Sequence, residues 1–244
     1  MTGKVEQLTR EIARASLEIA LNSIAERTTT EKSLKAVNEQ FNIRSYFTGR
    51  EKAALTRDGA VVLSLGRETL RELRKAGRPF LHLFDGGENM LDTPTRLREV
   101  ALYVDPLRFF VSNSSWKNWD RQLCEIYEDG IELRRRLNIP TITQIMPEAI
   151  DLAQIILQHP EEVKHLTSDD SDRQIRTATS MKTGSDTYVA RVSILSGGML
   201  DITSCNVKHG NPYIWAPRII VPRNHPREVG NSLILWYTQS HGRN

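Results

Sequence analysis

The sequence predicts an α/β or α+β fold in three parts. An N-terminal helical arm spans residues 1–45, a largely parallel α/β sheet spans 46–165, and a linker at 166–173 leads to a smaller antiparallel β-rich unit at 174–244. Three observations predict this. Strand-like apolar runs alternate with helical stripes from about residue 60 to 157, as in parallel sheets covered by helices. Residues 166–173 are polar and turn-rich. Beyond them the apolar period changes to two.

The elements follow in order. Val5, Leu8, Ile12, Ala15 and Ile19 share one helical stripe, and Ala13, Leu17, Ala20 and Ile24 an adjacent one. This apolar face over 4–26 is wider than a two-stranded coiled-coil seam and needs a cover, so self-association is expected there. Thr28, Thr29 and Thr30 can cap a second helix running to about Phe41. Residues 60–65 read as a buried strand, 67–76 as a helix ended by Gly77, and 80–84 as the next strand. Pro94 opens a helix through about Tyr103, and 108–111 read as a third strand. Ser115 can cap a long helix to Leu137 with a core-facing row Trp116, Trp119, Leu123, Ile126, Gly130, Leu133 and Leu137. Residues 141–145 form a fourth strand, and Pro147 starts a helix to about Leu157.

In the last third, Tyr188, Ala190, Val192 and Ile194 alternate with Val189, Arg191 and Ser193 before Gly197-Gly198. A three-residue hairpin loop pairs Ile194 with Leu200, Val192 with Ile202, Ser193 with Asp201 and Arg191 with Thr203. That register leaves one apolar and one polar face, which a two-residue loop does not. Further strands are expected at 219–221 and 233–237.

Composition excludes several classes. The 244 residues are 39% hydrophobic and 26% charged, which is globular rather than disordered or repetitive. Two cysteines, Cys124 and Cys205, cannot build a disulfide framework. No leader pattern and no apolar run of about 18 residues is present, so a cytoplasmic location away from membranes is expected. The net charge of +3 conceals a division: +5 over residues 1–80, −7 over 81–170 and +5 over 171–244. A basic end can meet a polyanion locally even when the whole chain is near neutral.

Two regions are candidates for chemistry. In a parallel sheet, ligands bind beyond the carboxyl ends of the strands. Those ends would present Gly66 and Arg67, Asp85 and Glu88, and Asn113, Ser114 and Ser115. Helix starts and Arg67 suit an anion, while Asp85 and Glu88 suit acid–base work or a hard cation. The second region is 207–227, where Tyr213 and Trp215 interleave with Lys208, Arg218, Arg223 and Arg227. Aromatics can stack on bases while basic side chains hold phosphates. Arg134-Arg135-Arg136 complements the dipole at the end of the long helix. Cys205 and His209 alone do not make a metal site.

No phosphate-loop, dinucleotide or catalytic signature occurs, so no cofactor is assigned. The expectation is a non-enzymatic regulatory or binding protein. Its C-terminal unit would bind an anion, nucleic acid foremost, and its α/β domain a ligand or partner. An enzyme acting on a phosphorylated or anionic small molecule through Asp85 and Glu88 is the alternative. An oligomeric assembly protein is the second.

Overall fold

The computed structural model describes residues 42–77, 80–83, 91–163, 174–183, 186–194, 199–208 and 210–224. The expected arm at 4–26, the linker at 166–173 and the strand at 233–237 lie outside the described residues. Helices α1 (Gly49–Arg57) and α2 (Leu70–Lys75) each begin with a capping box, Thr48 with Glu51 and Thr69 with Glu72. Thr69 takes over the start expected near Arg67, because its hydroxyl accepts the Glu72 N–H.

Strands β1 (Ala60–Ser64), β3 (Glu99–Tyr103), β9 (Ile219–Pro222) and β4 (Ile142–Ile145) form one sheet in that order, with every pairing antiparallel. Strands β2 (Phe80–Leu83), β7 (Leu200–Asn206), β6 (Asp186–Ile194), β5 (Gln174–Thr183) and β8 (Ile214–Trp215) form the second. There β5, β6 and β7 run as an antiparallel meander, flanked by β2 and β8 in parallel. The fold is thus mixed α/β, but the largely parallel central sheet is not present.

The departure from the expected topology starts at residues 94–103. The segment expected as a helix contains β3, whose five residues are all buried. A strand covered on both faces loses its alternation and resembles a helix stripe. Residues 108–111 are not a strand either. Asp105 caps the helical turn α3 (Pro106–Phe109) by accepting the Leu107 N–H at 2.9 Å. Phe110 then makes a single antiparallel bridge to Pro217.

The hairpin register is as expected: Ile194 faces Leu200, Val192 faces Ile202, Ser193 faces Asp201 and Arg191 faces Thr203. Strand β9 also forms where expected, yet it enters the first sheet between β3 and β4.

Helix α4 (Trp119–Leu137) is capped by Asn118, whose side chain accepts the Arg121 N–H at 2.9 Å. Trp119, Ile126 and Leu133 are buried on its core face. Gly130 lets α4 sit close to β4, since a Cβ there would lie 3.1 Å from the Gln144 backbone nitrogen. Helix α5 (Ala149–Gln158) is buried on all sides over residues 149–157, including the polar Asp151 and Gln154. It packs against β5, β6 and β7 and shares a core cluster with Leu63, Val100, Leu102, Ile145, Ile219 and Val221 of the first sheet. The opposite face of that sheet, through Ala101, Ile142 and Ile220, meets Leu55 of α1 and Leu133 of α4. Helix α6 (Pro160–Val163) is one turn that follows α5 directly.

Candidate nucleic-acid interface

Antiparallel neighbours point their carboxyl ends in opposite directions, so the first sheet has no common carboxyl edge. The polar segments predicted to converge there are held apart by different partners. Gly66 donates its N–H to Gln158 Oε1 at 2.8 Å, and its carbonyl accepts Arg98 Nη1 at 3.2 Å. Arg67 beside it is exposed. Ser114 is fully buried. Its hydroxyl accepts the Ala216 N–H at 3.1 Å and its carbonyl accepts Gln122 Nε2 at 2.7 Å. Asn113 is exposed with φ of 56°, and Ser115 is half-buried. Asp85 and Glu88 lie outside the described residues.

The aromatic–basic stretch divides. Trp215 sits in β8 with its ring centroid 5.9 Å from that of Phe110, packed against the core. Arg218 is held by Asp129 at 2.8 Å and also donates to the Arg108 carbonyl at 3.3 Å. Burial pushes the Asp129 carboxyl up, and the Arg218 charge opposes that rise. These two side chains therefore serve the core. Lys208 and Tyr213 remain exposed, Tyr213 at 51%. Arg223 lies elsewhere, after β9, and Arg227 is outside the described residues.

A partner for Tyr213 comes from an unexpected place. Trp116, expected on the buried stripe of α4, precedes that helix and is 69% exposed. Asn118 starts the helix two residues later. The Trp116 backbone has φ of 67°, a conformation that bulky residues rarely adopt and that costs about 1–3 kcal/mol. Residues 210–213 hold it there. The Asn211 carbonyl accepts the Trp116 N–H at 3.1 Å, while Asn211 Oδ1 accepts the Tyr213 N–H at 2.8 Å. One asparagine thus bonds the backbone amides of both residues. Gly210 permits the contact, because a Cβ there would fall 1.9 Å from the Trp116 carbonyl oxygen.

Beneath this face, Trp119 N–H donates to the Val207 carbonyl at 3.1 Å. Arg176, fully buried, donates Nη1 to the Lys117 carbonyl at 3.1 Å, and burial lowers its guanidinium below the ordinary value. Lys117 is itself paired with Glu125 at 2.6 Å. Trp116, Tyr213 and Lys208 are thus exposed, and Asn211 ties the Trp116 backbone to the segment that carries Tyr213. Sequence reasoning missed Trp116, Asn211 and Arg176. The signal for Trp116 was Asn118, as good a cap as Ser115, which would have placed the tryptophan before the helix.

Among the described residues, no group of three or more His, Cys, Asp or Glu could hold a metal ion, and no helix is long and apolar enough to cross a membrane. No protein-family model, curated protein or solved structure matches the chain.

Proposed function

We propose that the protein binds single-stranded nucleic acid, with Trp116 and Tyr213 as a stacking platform and Lys208 on the phosphates. The observation that carries this reading is the left-handed, 69% exposed Trp116, whose backbone amide is bonded to Asn211, two residues before Tyr213. Burying a tryptophan is favourable, so holding one outward at a backbone cost favours a role for the ring itself. Base–aromatic stacking requires unstacked bases, which single strands supply and duplexes do not.

Anisotropy of a labelled oligonucleotide tests it, comparing a single strand with its duplex at low salt. The single strand should bind more tightly. Trp116→Ala should weaken it by roughly tenfold or more, in line with ~1–3 kcal/mol per stacked base. Equal affinity for Trp116→Ala and the parent chain would exclude the reading.

A further inference from the structure

We propose that the cleft between the carboxyl end of α4 and the chain leaving β9 binds a phosphate-class dianion, gripped by Arg134 and Arg223. The cleft is a largely open surface depression with a volume of about 330 Å³, lined by Ile131, Arg134, Arg135, Asn138, Ile139, Pro140 and Arg223. That is at the small end of ligand pockets, which span roughly 300–1,000 Å³.

Two half-buried guanidiniums beside one open depression mark this place. Among other half-buried arginines, Arg44 meets Glu51, Arg218 meets Asp129 and Arg108 meets Asp58, whereas Arg98 and Arg191 meet only carbonyl, hydroxyl or amide oxygens. Arg134 and Arg223 are half-buried as well, both line this depression, and among the described residues they donate only to neutral acceptors. Arg134 Nη1 donates to Thr143 Oγ1 at 3.2 Å, and Arg223 Nε donates to the Pro140 carbonyl at 3.2 Å. Burial, and then the charge of Arg223, lower the Arg134 guanidinium below its ordinary value. Tyr127, two turns earlier on α4, lies close enough to act on both. Two like charges brought together out of water repel, and a shared counter-anion removes that cost.

The helix end is a weak competitor for them. Asn138, left-handed at φ of 53°, donates its N–H to the Arg134 and Arg135 carbonyls, and Ile139 N–H adds a bond to Arg134 at 3.0 Å. The helix dipole accounts for exposed cations such as Arg135 and Arg136. It does not require Arg134 to be half-buried beside Arg223. Guanidinium forks match oxyanion geometry, and two of them favour a dianion. The site is separate from the aromatic face and does not rest on it.

Titration of the full chain with inorganic phosphate, at ionic strength held constant with chloride, tests the site by calorimetry and melting temperature. A saturable one-site rise in melting temperature is expected. Arg223→Gln should weaken phosphate at least tenfold, equivalent to about 1.4 kcal/mol, without lowering the phosphate-free melting temperature. Arg134→Lys keeps the charge but loses the fork, and should weaken phosphate as well. Trp116→Ala should leave phosphate affinity unchanged, so the two sites fail independently.

No saturable shift, or an Arg223→Gln variant that binds normally, overturns the proposal. So does a phosphate-free melting temperature that falls in Arg223→Gln, since the pair would then already hold a carboxylate of the chain. A 5′-phosphorylated oligonucleotide beside its unphosphorylated twin identifies the source. An Arg223-dependent preference assigns a nucleic-acid end, and no preference assigns a free phosphate compound.

Discussion

Asp151 is the third residue of α5 and fully enclosed. Its oxygens accept the Thr95 hydroxyl and, at 3.2 Å, the Glu148 N–H. Burial pushes its carboxyl up to about 7, helped by Glu148 and opposed by the Thr95 bond. Its folded pKa thus exceeds the unfolded value of about 3.9. The folded state holds a proton that the unfolded state releases, so stability falls as pH rises from about 4 to 7 and then levels off. Asp151→Asn should remove this loss, gaining ~1–3 kcal/mol above pH ~7 and little near pH ~4, because a tenfold change in proton affinity is worth about 1.4 kcal/mol. Urea unfolding across that range measures it, and an equal gain at both ends would refute the assignment. Gly210 gives a second prediction. Gly210→Ala sets a methyl against the Trp116 carbonyl and should cost about 1–3 kcal/mol by overpacking, together with affinity for single strands. A variant with unchanged melting and binding would show that the two loops are not coupled.

Single elements explain what could be read in advance. Strands β1, β4, β6, β7 and β9 and helix α5 were legible because each has a run or period with clear ends. The register of β6 on β7 was legible because a slip of one residue would turn Ile194 and Val192 outward. Strand β3 was not, because burial of all five residues erases the period of two. Its misreading as a helix removed the strand between β1 and β9, and so hid the antiparallel order. Asp105-Pro106 signalled a helix start that the apolar run Phe109-Phe110-Val111 masked. In the candidate site, Lys208 and Tyr213 were legible as exposed polar and aromatic types. Trp215 and Arg218 are of the same types, and only the tertiary contacts with Phe110 and Asp129 separate them. The contact of α4 with β4 gives the prediction at this scale. Alanine normally gains about 1 kcal/mol over glycine within a helix. Gly130→Ala should not gain it, because the new methyl meets backbone of β4 at 3.1 Å. A full gain in chemical denaturation would mean that α4 can shift freely on the sheet.

Charge acts over the whole molecule. With Arg218 paired to Asp129 and Lys117 to Glu125, the aromatic face keeps few cations for phosphates. Stacking should therefore carry more of the affinity than counterion release. The one phosphate contact through Lys208 gives a log–log salt slope of about −0.7 on a single strand, a fall of roughly threefold from ~50 to ~200 mM salt. A slope several times steeper would mean that a wider basic surface binds the strand. The order of the first sheet has a different consequence, for the sequence of events at the ribosome. Strand β9 is the last described strand to be synthesised, yet it lies inside a sheet whose other members emerge much earlier. Until it arrives, β3 lacks one neighbour and β4 has no strand partner. Nascent chains ending before residue 219 should expose both edges, resist compaction and recruit holding chaperones, whereas chains extended past residue 222 should become protease-resistant in one step.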